Sequence, residues 1–292
     1  MADAIRALDT GCARQEAAAA AVPAAAGAAG RLGQTGYLFD NDSDHAVEQH
    51  GCLAAAYDPA TTQALARTGA GPGWRCLEVG GGGGSVGRWL ARRVAPRGSV
   101  MVTDIKPVHI PHEPGMAVVR HDVVREGLPE CAFDLVHARL VLMHLPEREA
   151  VLARLLRTLR PGGWLQLDEL DATHAPSLAM PDEPGARLYA RFQRAKLRAL
   201  AASGADPAWG AHAAAALRRT GFADVDPRPH VSVWSAGAPG ARLQAHHTRH
   251  LRKALLEAGM TDEELAQVRR LLAHPDFLAC SPAFYTVQGR RP

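Results

Sequence analysis

Between residues 74 and 171 the chain alternates short apolar runs with amphipathic stretches. Arg75 to Val79 reads as a short buried strand and Ser85 to Val94 as a helix. Ser99 to Asp104, Met116 to His121 and Phe133 to Ala138 are three further strands. Pro146 to Leu159 carries Leu152, Leu155, Leu156 and Leu159 on one helical face, and Trp164 to Leu170 is a fifth strand. Strands separated by helix-period segments imply right-handed crossovers and a mostly parallel sheet with helices on both faces. The fold class is therefore α/β, doubly wound.

Either side of this block the pattern changes. Residues 1–36 are alanine-rich, broken by Pro23, Gly27 and Gly30, and lack large apolar side chains; they are expected to form a loosely held arm. Residues 37–69 should hold two helices and a lid, the first from Asp42-Ser43-Asp44 to about Ala56, the second from Asp58-Pro59 to about Arg67. Residues 70–171 form the core. Residues 172–221 are expected to be a helical cap, with helices over 183–203 and from about Pro207 to Thr220. Residues 222–292 should return to the sheet, with strands near Val225 to Trp234 and Phe284 to Gln288 around a two-helix insertion at about 237–276. Thr261-Asp262-Glu263-Glu264 reads like a capping box. A cap would sit over the C-terminal edge of the sheet, where open α/β sheets bind ligands.

The chain has 292 residues, with 33 basic and 30 acidic side chains, a balance that argues against a nucleic-acid binder working on net charge. Arginine supplies nearly all the basic charge; the lysines are Lys106, Lys196 and Lys253. The five cysteines are scattered without a C-x-x-C, so neither a zinc site nor a disulfide framework is suggested, and a cytoplasmic setting fits. Neither a membrane span nor a signal-peptide layout is visible. His246, His247 and His250 share helical spacing, but without a nearby carboxylate in sequence they are read as a solvated or cap-lining face, not a metal site.

The chemistry concentrates at Leu77-Glu78-Val79 followed by Gly80 to Gly84 and Ser85. Glycine permits positive φ and lets a ligand approach bare backbone, and the following helix offers unpaired N–H groups. Taken alone, Gly82-x-Gly84-x-x-Gly87 also satisfies a dinucleotide fingerprint, which leaves a nicotinamide-dependent oxidoreductase as one alternative. Its surroundings discriminate. Glu78 precedes the first glycine, Asp104 and Asp122 end the next two strands, and Arg160-Pro161-Gly162-Gly163 turns into the fifth.

Together these features resemble the class I S-adenosylmethionine-dependent methyltransferases, a Rossmann-like family with a seven-stranded sheet. Tyr37-Leu38-Phe39-Asp40, Ala56-Tyr57-Asp58-Pro59 and Gly289-Arg290-Arg291-Pro292 are similar to small-molecule methyltransferases of actinobacterial secondary metabolism. The resemblance implies S-adenosylmethionine as cofactor and S-adenosylhomocysteine as product. Gly80, Gly82 and Gly84 would lie against its methionine and ribose. Asp104 would take both ribose hydroxyls, Asp122 the adenine amine, Val123 the ring through its N–H, and Ile105 one adenine face. Ala138 and Arg139 would lie near the amino-acid end, Glu78 would organise the loop or meet the ammonium group, and Tyr37 would belong to the lid.

For a hydroxyl or ammonium acceptor a base helps, and His144 and Glu169 (beside Asp168) are placed to serve. The implied acceptor is a small aromatic or indole-like metabolite, methylated on O, N or C. A tRNA or rRNA methyltransferase is the alternative, although neither an Asn/Asp-Pro-Pro-Tyr nor a Pro-Cys motif occurs. A homodimer through the arm or cap remains open.

Overall fold

Seven strands form the central sheet of the computed structural model, which describes residues 38–39, 41–43 and 45–292. Arg75–Val79 (β1), Ser99–Asp104 (β2), Met116–Arg120 (β3), Phe133–Arg139 (β4) and Leu159–Asp171 (β5) pair in parallel, in the order β3-β2-β1-β4-β5. Ala283–Arg290 (β10) runs antiparallel between β5 and Ala223–His230 (β7). The strand order reverses between β1 and β4, so the crevice at their C-terminal ends is the topological switch point.

Strand alternation sorts two cores. Leu77, Val79, Val136, Ala138, Leu165 and Leu167 pack with Arg148–Thr158 (α3) and Trp209–Thr220 (α5). Cys76, Val100, Val102 and Leu135 pack with Ser85–Val94 (α2) and with Leu65 of Ala46–Arg67 (α1). A third core lies outside the sheet. Glu183–Ala202 (α4), Pro239–His250 (α6), Arg252–Glu257 (α7) and Asp262–Leu272 (α8) enclose Phe192, Leu255, Leu265 and Phe277.

Several expectations change. The two helices of residues 42–67 are one: α1 runs through Pro59, and the Thr62 hydroxyl donates to the Asp58 carbonyl at 2.7 Å, inside the helix. α1 starts at Ala46 after a turn in which Ser43 Oγ accepts from His45 N; Asp44 lies outside the described residues. The segment 207–220 leaves the cap. α5 lies on the main sheet because Gly210 lets it approach β5, where a Cβ would come within 2.7 Å of Leu170. The strand expected from Val225 to Trp234 splits. β7, with Pro227 and Pro229 suited to an edge, stays in the main sheet, and Val233–Ser235 (β8) joins Ser177–Ala179 (β6) and Leu278–Cys280 (β9) in a separate sheet ordered β6-β9-β8. The insertion holds three helices, α6, α7 and α8, rather than two. Thr261 and Glu264 do form a capping box at α8. The arm, residues 1–36, lies outside the described residues.

Candidate active site

β1 delivers the polyglycine turn to the switch point. Gly80, Gly82 and Gly84 have φ of 71°, 54° and 73°, conformations costly for any residue with a Cβ. Space is equally restrictive: a Cβ on Gly80 would meet Val141 Cγ2 at 2.3 Å, and one on Gly83 would meet His50 Cβ at 2.9 Å. Gly80 and Gly81 donate their N–H groups to the Thr103 carbonyl, which ties the loop to the end of β2.

Asp104 ends β2 beside that loop. Its buried carboxylate accepts from Gly82 N at 3.0 Å, from Lys106 N at 2.9 Å and from the Asn41 side-chain amide at 3.3 Å. The neighbouring Ile105 is an exposed apolar side chain, 39% accessible, at the same edge. Asp122 lies at the end of the next strand. One oxygen accepts from Val124 N in a tight turn, the other pairs with Arg125 at 3.6 Å, and Val123 beside it is buried. Asp122 thus also builds its own turn.

The remaining expected site residues have these surroundings. The Ala138 side chain points into the core under α3 and α5. Arg139 bridges α1 and α2: it pairs with Asp58 at 2.7 Å and donates to Thr61 and Ser85. Glu78 is buried behind the loop, without a hydrogen bond to the loop's backbone. Its Oε1 is 3.7 Å from His137 Nδ1, and its Oε2 has no partner among the described residues. Glu169 is fully buried and accepts from Leu142 N at 2.8 Å, anchoring the single-turn helix Leu142–His144. Burial pushes its carboxyl up to about 8 against the pull of those backbone N–H groups. That is a loop anchor, and it takes Glu169 away from the acceptor-facing role expected of it. His144 sits at the sheet edge, packed edge-on to Phe39 with ring centres 5.8 Å apart. Burial, with Arg148 nearby, depresses its pKa to about 4, so the imidazole is neutral near pH 7 and a weak base. Tyr37 lies outside the described residues.

The structure adds groups that sequence reading missed. His50 of α1 stands over Gly82 and Gly83, and its Nδ1 is buried without a hydrogen-bond partner among the described residues. Burial, and His109 at 5.8 Å between ring centres, lower its pKa. His137 sits between two acids, 3.1 Å from Asp168 Oδ2. Burial opposes its charge, but the hydrogen bond to Asp168 and the two nearby carboxylates, Asp168 and Glu78, together outweigh that and raise it to about 8. Gln166 and Gln288 extend this buried polar row to the carbonyls of Thr61 and Ala64 in α1. A histidine and a glutamate inside otherwise apolar strands were the available sequence signal; their pairing depends on the register Glu78 opposite His137. In the cap, His246 Nδ1 meets Glu48 at 3.1 Å, a carboxylate the sequence did not place there; no group able to hold a metal ion occurs among the described residues.

A bare turn with positive φ, a buried carboxylate at the end of the neighbouring strand and an exposed apolar side chain next to it suit a nucleoside cofactor, since a carboxylate can accept from two vicinal hydroxyls. Comparison with known proteins agrees. Residues 77–165 match the family described as a methyltransferase domain. The match places a methyltransferase domain across residues 77–165, on the seven-stranded Rossmann-like sheet.

Among particular relatives, it is 34% identical over 142 residues to methyltransferase str2 of Strobilurus tenacellus, covering 47% of this chain and 48% of that protein. It is 28% identical over 126 residues to the ubiquinone/menaquinone biosynthesis C-methyltransferase UbiE of Cupriavidus taiwanensis, covering 38% and 49%. The chain thus spans about half the length of these curated relatives. The YcgJ protein of Bacillus subtilis shares the fold with a TM-score of 0.50 at 12% identity, covering 78% of this chain and 97% of that one. No helix among the described residues is long and apolar enough to cross a membrane.

Proposed function

We propose that this chain transfers the methyl group of S-adenosylmethionine to O, N or C of a small aromatic acceptor, of the kind made in secondary metabolism. The observation that carries the reading is Asp104, a buried carboxylate fixed by the N–H groups of Gly82 and Lys106 against a glycine turn with no side chains. When bound, the cofactor supplies an electrophilic methyl on a sulfonium, passed in line to the acceptor. The protein's share is to bind, align and keep out water. Asp104 holds the ribose hydroxyls and Ile105 covers one face of the adenine; Asp122 keeps the adenine end in place through its turn. Gly80, Gly82 and Gly84 let the backbone lie against the cofactor, while His50 and Phe39 close the lid side. His144, neutral at working pH, lines the acceptor side of the crevice and keeps it desolvated. The methyltransferase names of str2 and UbiE support methyl transfer, and the ubiquinone/menaquinone biosynthesis in the name of UbiE supports a small-molecule acceptor.

Calorimetry with S-adenosylhomocysteine tests this reading. Asp104→Asn keeps the shape and removes the charge, so affinity should fall about tenfold to a hundredfold, the equivalent of about 1.5–3 kcal/mol for hydrogen bonds to a charged group. Unchanged affinity in D104N, or no heat from the wild-type chain, overturns it.

A further inference from the structure

The cap holds a lysine that no carboxylate neutralises among the described residues. Lys196, on α4, donates from Nζ to the Gln244 side-chain oxygen at 2.6 Å and lies 5.5 Å from the centre of the Phe192 ring. Its hydrogen-bond partner is a neutral amide on α6, and among the described residues no carboxylate forms an ion pair with it. Burial alone pulls its pKa down to about 7. Three arginines of the cap differ: Arg187, Arg191 and Arg252 sit at the surface, paired with Glu183, Glu264 and Asp262. A lysine in a chain that otherwise uses arginine almost throughout brings a compact ammonium, readily tuned by its surroundings.

Lys196 is also connected to the site. His247 lies one turn after Gln244 on α6; it is buried, and Nδ1 has no hydrogen-bond partner among the described residues. Burial first, then Lys196, keep this imidazole neutral. Its ring lies 5.2 Å from that of Phe39, which in turn lies 5.8 Å from His144. Val141, at the start of the His144 turn, abuts Gly80. A continuous set of neighbours therefore runs from the glycine turn through His144 and Phe39 to His247 and Lys196. Along it, ring-shaped side chains give way to the Lys196 ammonium and the unpartnered Nδ1 of His247. The rings offer stacking faces, and Lys196 offers a positive charge.

We infer that Lys196, with His247 and Gln244, recognises a carboxylate on the aromatic methyl acceptor, the acceptor's ring lying against the Phe39 ring on the side of the glycine turn. The inference rests on the methyltransferase reading and adds the charge of its substrate. An anion at this point receives an ammonium that is already desolvated, so binding is discriminating: a neutral isostere leaves the cation unmatched.

The test uses the whole chain saturated with S-adenosylhomocysteine. Hydroxybenzoates and indole carboxylates are titrated beside their carboxamides by calorimetry. At least one acid should bind at least tenfold more tightly than its amide. Lys196→Met should abolish that preference, leaving affinity for the amide and for S-adenosylhomocysteine unchanged. The inference is overturned if the wild-type chain prefers none of the acids, or if K196M still does. The wild-type comparison decides the matter even if K196M fails to fold. Absence of S-adenosylhomocysteine binding would instead remove the methyltransferase reading, and this inference with it.

Discussion

Asp168 and Glu169 are adjacent buried acids whose side chains enter opposite faces of β5, and they titrate in opposite directions. For Asp168 burial would raise the pKa, but the hydrogen bond and charge of His137, with the hydroxyls of Thr286 and Thr61, together outweigh it and hold the carboxyl below its usual range. For Glu169 burial prevails and the pKa rises to about 8. A carboxyl with a raised pKa favours the fold while protonated, so its contribution is full below the unfolded value near 4.5 and is lost as pH rises toward 8. His137, also raised to about 8, contributes below about 6.5 and loses that contribution over the upper part of the same range. Glu169→Gln keeps an acceptor for Leu142 N and cannot ionise. Its urea midpoint should therefore fall much less than the wild type's between about pH 5 and 8, with a residual slope above about 6.5 from His137. An equal slope in both proteins counts against this assignment. At this scale the sequence was partly legible. Asp104 could be found because a strand end and a glycine turn are local patterns. Asn41, His50 and Lys196 could not, because each acquires its role from a residue far away in the chain: Asp104, Gly82 and Gln244.

At the scale of elements, α1 carries the most consequence. It spans Pro59 unbroken and places His50 over the glycine turn. Near the site it is held by the Asp58–Arg139 pair, with both side chains largely shielded. Removing one partner strands the other, so Asp58→Ala should lower stability by about 1–3 kcal/mol in urea unfolding and weaken S-adenosylhomocysteine binding, through displacement of α1 rather than loss of a ligand contact. Loss of stability with binding untouched would show that α1 does not shape the site. The first five strands were legible because their apolar runs are bounded by glycine, proline and acidic turns. The joining of two expected helices at Asp58-Pro59 was not: a proline is equally compatible with a first turn and with an interior position that neighbouring packing sustains. The small sheet was hidden for a related reason. Three-residue strands such as Ser177–Ala179 leave too little periodicity to detect and exist by virtue of their partners.

For the molecule as a whole, a ligand that binds the folded state alone raises its stability by an amount set by mass action. At a hundredfold excess over Kd, S-adenosylhomocysteine should stabilise the chain by about 2.7 kcal/mol, which for a chain of this size is a rise in Tm of about 4 °C. NAD at the same concentration should leave Tm unchanged. A shift with NAD and none with S-adenosylhomocysteine would favour the oxidoreductase alternative raised by the glycine pattern. The antiparallel β10 also bears on how the protein is made. It follows every other strand in chain order, yet it lies between β5 and β7. As a ribosome delivers the chain, β7 therefore waits without a neighbour, and β5 keeps an open flank, until the insertion of α6 to α8 and then β10 have emerged. Nascent chains stalled before residue 283 should thus be the ones a chaperone must shield, however complete their glycine turn already is.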